Sequence, residues 1–210
     1  MRKALLGSLA LAMLAACAPS ASVKPDYGSV SGSVYRNQFF GFSIPIPGGF
    51  RAQDGEAVAR ELEAKRLELA ASNPKLAAAV AESRKNTTVL LSLSPSMADP
   101  AEENQAILMI GAERLPAGHE VEDAKAYLEK TKDVLRGSGV AIADQAAARA
   151  ETIGGVPFTA QEISVRTAAG PTLQSLRVAL MRGYAFFISI TYMSEKALAK
   201  SGEILKAAKF

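Results

Sequence analysis

The side chains that could do chemistry in this 210-residue chain are few and far apart. There is one cysteine, Cys17, and one histidine, His119. A structural zinc site needs a set of Cys and His ligands that these two cannot supply. His119 sits in Pro116-Ala117-Gly118-His119-Glu120, a stretch that reads as a loop leading into a helix, so a solvated loop histidine is expected. A serine triad would need its nucleophile on a strained turn such as G-x-S-x-G, and none occurs. Ser72-Asn73-Pro74-Lys75 matches S-x-x-K. The S-D-N and K-T-G elements that complete such a hydrolase are missing, so these residues read as a bridge between two helices. Glu102-Glu103 and Glu120-Glu122-Asp123 are the main acidic clusters. Paired carboxylates can do acid–base work or hold calcium. Glu122 and Asp123 read instead as the first turn of a helix, where its dipole favours negative charge. Gly137-Ser138-Gly139 lacks the third glycine and following helix of a dinucleotide site and reads as a helix end and turn. The expectation is no catalytic residue, no metal and no cofactor.

The elements around Cys17 give it a different role. Arg2 and Lys3 precede a Leu, Ala and Met run over 5–14, and small Ala15 and Ala16 follow. That is the three-part order of an export signal. The run is far shorter than the roughly 20 residues of a membrane-spanning helix. Leu14-Ala15-Ala16-Cys17 resembles the lipobox of bacterial lipoproteins. The resemblance implies cleavage before Cys17 and acylation of its thiol and new amino group. Two or three acyl chains anchor a protein stably where one does not. Ala18, not Asp, follows the cysteine. In such lipoproteins that implies an outer membrane facing the periplasm, in a host that has one.

Composition bounds the rest. Lys and Arg total 24 against 21 Asp and Glu, a formal charge of +3. Loss of Arg2 and Lys3 with a signal would leave the chain close to neutral. No dense basic run appears, so nucleic acid is not an expected partner. With its one cysteine acylated, the domain has no thiol for a disulfide and must hold by packing alone. Residues 1–16 read as signal peptide, 17–33 as a flexible Ser-, Pro- and Gly-rich tether, and 34–210 as one domain.

Within that domain Phe40, Phe42, Ile44 and Ile46 alternate with smaller residues, a strand pattern. Val58, Leu62, Leu69, Leu76 and Val80 recur at helical spacing, broken by Asn73-Pro74. Asn is a good N-cap and Pro a good first helical residue, so helices are expected over 55–71 and 74–85. Strands are expected over 88–94 and 105–114, and a helix from Glu120 to Gly137 with Val121, Ala124, Tyr127, Leu128, Val134 and Leu135 on its apolar face. The stretch 140–153 is ambiguous between helix and strand. Gly154-Gly155 and Arg182-Gly183 are hairpin signals among strands over 158–165, 172–181 and 184–192. Ser194-Glu195 opens a closing helix with Leu198, Ile204, Leu205 and Ala208 as its apolar stripe. This order predicts an α+β fold, an α/β/α sandwich around one mainly antiparallel sheet covered by helices.

That order resembles the PsbP-like superfamily, including DcrB-type bacterial lipoproteins. The landmarks are Tyr35-Arg36-Asn37 with Phe40-Gly41-Phe42-Ser43-Ile44 and Pro47, then Ile153-Gly154-Gly155-Val156-Pro157, then Leu180-Met181-Arg182-Gly183-Tyr184, and a closing helix before Phe210. These motifs are turns and packing positions, so the resemblance carries no functional residues across. It implies a non-enzymatic accessory or binding protein. The expectation is a lipid-anchored envelope module that binds a protein partner, with Tyr35 and Phe39 as a candidate partner-binding patch. The first alternative is a carrier of a small apolar ligand, in a cavity lined by residues such as Leu91, Met109 and Ile188. The second is a hydrolase working with carboxylates alone.

Overall fold

Strand and helix periodicities sort the chain into two sheets and their covering helices. The structure is a computed structural model that describes residues 25–58, 60–61, 73–83, 85–96, 106–116, 118, 121–167 and 170–210. Cys17, Ser72, Glu102, Glu103, His119 and Glu120 lie outside these residues, as does most of the helix expected over 55–71. Residues 55–58 and 60–61 are helical. The strands are β1 (Ser29–Ser31), β2 (Val34–Asn37), β3 (Phe42–Pro45), β4 (Phe50–Asp54), β5 (Thr87–Pro95), β6 (Ala106–Arg114), β7 (Ile142–Asp144), β8 (Arg149–Ile153), β9 (Val156–Thr167), β10 (Gly170–Met181) and β11 (Tyr184–Tyr192). The described helices with full ranges are α1 (Pro74–Ser83), α2 (Ala124–Gly137) and α3 (Glu195–Lys206).

β1–β3 form a small sheet. The large sheet runs β4-β5-β6-β11-β10-β9-β7, with β8 also paired to β9. Each described pairing is antiparallel. The fold is thus mixed α+β, with two antiparallel sheets where one was expected. β3 ends at Pro45, which has no N–H to extend a ladder.

β11 sits centrally, fully buried on one face and partly covered on the other. Its Tyr184, Phe186, Ile188, Ile190 and Tyr192 share one core with Phe40, Phe42 and Ile44 near and within the small sheet and with Ala197, Ile204 and Leu205 of α3. Ala185 and Phe187 point the other way, toward Leu128 of α2 and Leu176, Val178 and Leu180 of β10. Alternate residues of one strand therefore feed two separate cores.

The hairpins form where two-residue turns can take left-handed backbone. Gly154 and Gly155 have φ of 55° and 87° between β8 and β9. Arg182 and Gly183 have φ of 53° and 79° between β10 and β11. These are the angles that match the twist of antiparallel strands. Arg182 pays the steric cost of positive φ, and its guanidinium lies 5.9 Å from the Phe39 ring centre.

Three expectations need correction. The tether assigned to 17–33 contains β1: Ser29–Ser31 pairs antiparallel with β2, Ser29 opposite Arg36 and Ser31 opposite Val34. Asn37 also donates to the Asp26 carbonyl at 2.7 Å and to its carboxylate at 2.9 Å, tying this segment down. The third helix begins at Ala124, not Glu120: Asp123 is its N-cap, accepting from the Ala126 amide at 2.7 Å, and Glu122 precedes it. On that helix Val134 is 50% exposed, while Lys132 is only 1% exposed. Lys132 goes inside because Glu129, at 2.8 Å, and Asp144 of β7, at 3.0 Å, neutralise it there.

A candidate ligand cleft

The site is built where α1 and α2 leave part of the large sheet uncovered. Asn73 caps α1, accepting from the Leu76 amide at 3.0 Å. Its amide nitrogen donates to the Ser138 carbonyl at the end of α2, at 3.1 Å. One side chain thus fixes where both helices sit. α1 then offers Leu76, Ala79, Val80 and Ser83, a stripe at helical spacing, to the space between. α2 offers Tyr127, Thr131, Val134 and Leu135 from the other side. The exposed Val134 is therefore a wall residue rather than a core residue.

Val89, Met109 and Phe187 make the floor. Two local features shape it. The pairing of β5 with β6 shifts register between Val89 and Leu91, so Val89 faces the cleft while Leu90 and Leu91 are both buried. Gly111 lets the Phe187 ring lie across β6: a Cβ at 111 would stand 2.4 Å from the ring's Cζ. A glycine inside a strand often marks such a close approach. The cleft is open to solvent on one side, and its volume is about 860 Å³.

Polar side chains share the lining, among them Asn86, Thr88, Glu113, Tyr127, Lys130 and Thr131. The Tyr127 hydroxyl donates to Glu113 Oε2 at 2.6 Å. Burial, then the neighbouring Glu113 charge, holds that phenol far above its ordinary pKa, so it stays a donor. Lys130 and Glu82 stand at the solvent edge, and Glu82 is paired with Lys85.

The sequence-derived candidates fall as follows. Met109 lines the cleft, but Leu91 and Ile188 are fully buried in the opposite core. The cleft therefore lies on the other face of the sheet from the one those two residues indicate. Tyr35 is 1% exposed, with its hydroxyl donating to the Tyr27 carbonyl at 2.8 Å. Phe39 is half-buried, edge-on to Phe40 and Tyr184. These two side chains do not form an exposed patch, because the short β2–β3 hairpin turns its aromatic residues inward. Gly137-Ser138-Gly139 ends α2, with Ser138 as C-cap and Gly139 at φ 82°.

A second polar cluster was not evident from the sequence. Arg149 binds Glu162 through both terminal nitrogens, at 2.5 and 2.9 Å. Ser175 donates to Glu162 at 3.1 Å, Arg177 donates to Ser175 at 2.8 Å, and Arg177 pairs with Glu151 at 3.0 Å. The Arg149 hydrogen bonds hold Glu162 below the usual carboxylate range despite burial. Each acid here has its own arginine, so the cluster ties β8, β9 and β10 together. The only sequence signal was scattered charge, Arg149 and Glu151 on β8, Glu162 and Arg166 on β9 and Arg177 on β10. Among the described residues, no group of three or more His, Cys, Asp or Glu is placed to hold a metal. No described helix is long and apolar enough to cross a membrane.

No family model matches the chain, and no curated protein matches it at a significant level. Among solved structures it is similar to the solution structure of cyanobacterial PsbP (CyanoP) from Synechocystis sp. PCC 6803. The two share 12% identity over 86% of this chain and 95% of that one, with a TM-score of 0.49.

Proposed function

We propose that this chain is a lipid-anchored, non-catalytic binding protein of the cell envelope, and that it holds a small apolar ligand in the cleft between α1, α2 and the large sheet. The cleft carries this reading. Its volume of about 860 Å³ lies in the range of small-molecule sites, and the surface it offers is more apolar than polar, with polar side chains interspersed. A concave site of this kind suits a small molecule better than the flat face of a protein partner. The signal-like N-terminus and Cys17 support the anchor, and the order of elements supports a PsbP-like α/β/α sandwich as the carrying domain.

The test is to purify the chain from intact envelopes, extract it with organic solvent and identify what comes out by mass. Ala79→Phe would fill the cleft from α1. The wild type should yield a stoichiometric apolar compound and Ala79→Phe should yield none, while the two proteins refolded free of ligand should melt at the same temperature. Equal yields from both would overturn the cleft reading. In the same cells Cys17→Ser should abolish acylation, read by radiolabelled palmitate. Undiminished label would overturn the anchor.

A further inference from the structure

Glu113 is the one carboxylate on the cleft wall that is half-buried rather than at the solvent edge. It projects from β6 on the same face as Met109, the floor residue four positions before it. Tyr127 occupies one of its oxygens from above. Among the described residues Glu113 has no Lys, Arg or His partner, and its Oε1 accepts no hydrogen bond. The contrast with the other half-buried and buried acids is direct: Glu151 and Glu162 each have an arginine. A half-buried carboxylate with one oxygen free of protein donors is open to a cationic partner from the cleft, and the hydrogen bond between two charged groups is stronger than a neutral one.

We propose that the cleft selects a ligand with an apolar body and a protonated amine, the amine pairing with Glu113. This rests on the cleft being a ligand site. The apolar body lies against Val80, Val89, Met109 and Phe187, and the ammonium donates to Oε1 while Tyr127 holds the other oxygen. An alkylammonium stays protonated at neutral pH, as a lysine side chain does. Lys130 offers the opposite choice, an acid head group. It is exposed at the rim, where solvent and salt screen its attraction, whereas Glu113 lies deeper.

Three soluble probes with one apolar body separate the cases: 4-phenylbutylamine, 4-phenylbutanol and 4-phenylbutanoate. Each is titrated by calorimetry into the full-length chain in neutral detergent, with empty micelles as the blank. The amine should bind at least about tenfold more tightly than the alcohol, about 1.4 kcal/mol, and more tightly still than the acid. Glu113→Gln should remove the amine's advantage and leave the alcohol's affinity unchanged, which also shows that the variant is folded. Tyr127→Phe should keep a reduced advantage, since the charge remains. Equal binding of amine and alcohol, or preference for the acid, overturns the amine proposal and leaves the cleft reading standing. Failure of all three to bind above the blank overturns both.

Discussion

Tyr35 shows how far burial changes the meaning of a residue. Its ring is in the core and its hydroxyl reaches back to Tyr27. Burial raises its pKa to about 12, the Asn37 hydrogen bond opposes this, and the Asp26 charge adds to it. The unfolded phenol titrates near 10, so the folded state keeps its proton longer. The stability this gives is complete below about pH 10 and is lost as pH rises through 12, at up to about 1.4 kcal/mol per pH unit. Tyr35→Phe should cost about 0.5–1.5 kcal/mol at pH 8, through the lost hydrogen bond. That gap should shrink by pH 11, because the variant lacks this titration. Denaturant unfolding at the two pH values measures it, and an unchanged gap would show that the phenol ionises normally. Lys132 is the complementary case. Burial alone would lower its pKa, but its hydrogen bonds and charge pairs with Glu129 and Asp144 outweigh that and raise it.

At the scale of elements, caps and turns were the most legible features. Asn73-Pro74, Ser194-Glu195, Gly154-Gly155 and Arg182-Gly183 each mark a real helix start or hairpin, because backbone constraint at those positions is local. The α3 stripe was legible for the same reason, and Leu205 within it is buried in the main core. Leu205→Ala should cost roughly 2–5 kcal/mol. A loss under about 0.5 kcal/mol in chemical denaturation would show α3 to be loosely attached. The cleft was not legible. Its lining draws on α1, β5, β6, α2 and β11, and only the tertiary arrangement brings these together. Nor were Lys132, Glu162 and Arg177 foreseen as interior groups. A charged residue in a sequence reads as surface until its partner, here on a different element, is known.

At the scale of the whole molecule, what holds the two sheets together is aromatic. Phe42 of the small sheet and Phe158 and Phe186 of the large one surround Phe210, with ring centres 4.9, 5.9 and 5.5 Å away. Beside them the Ser43 amide donates to the Lys209 carbonyl at 2.8 Å and the Lys209 amide returns a bond to Ser43 at 2.9 Å. The hairpins from β8 to β11 join neighbours in the chain, so they close short loops and can assemble early. The Ser43–Lys209 bridge joins positions far apart in the chain and carries the full entropic cost of a long loop. The small sheet is therefore expected to dock late on the folding path. By the same barrier argument it is the part whose release starts unfolding, so a protease that captures partly opened molecules would meet β1–β3 before any strand of the large sheet.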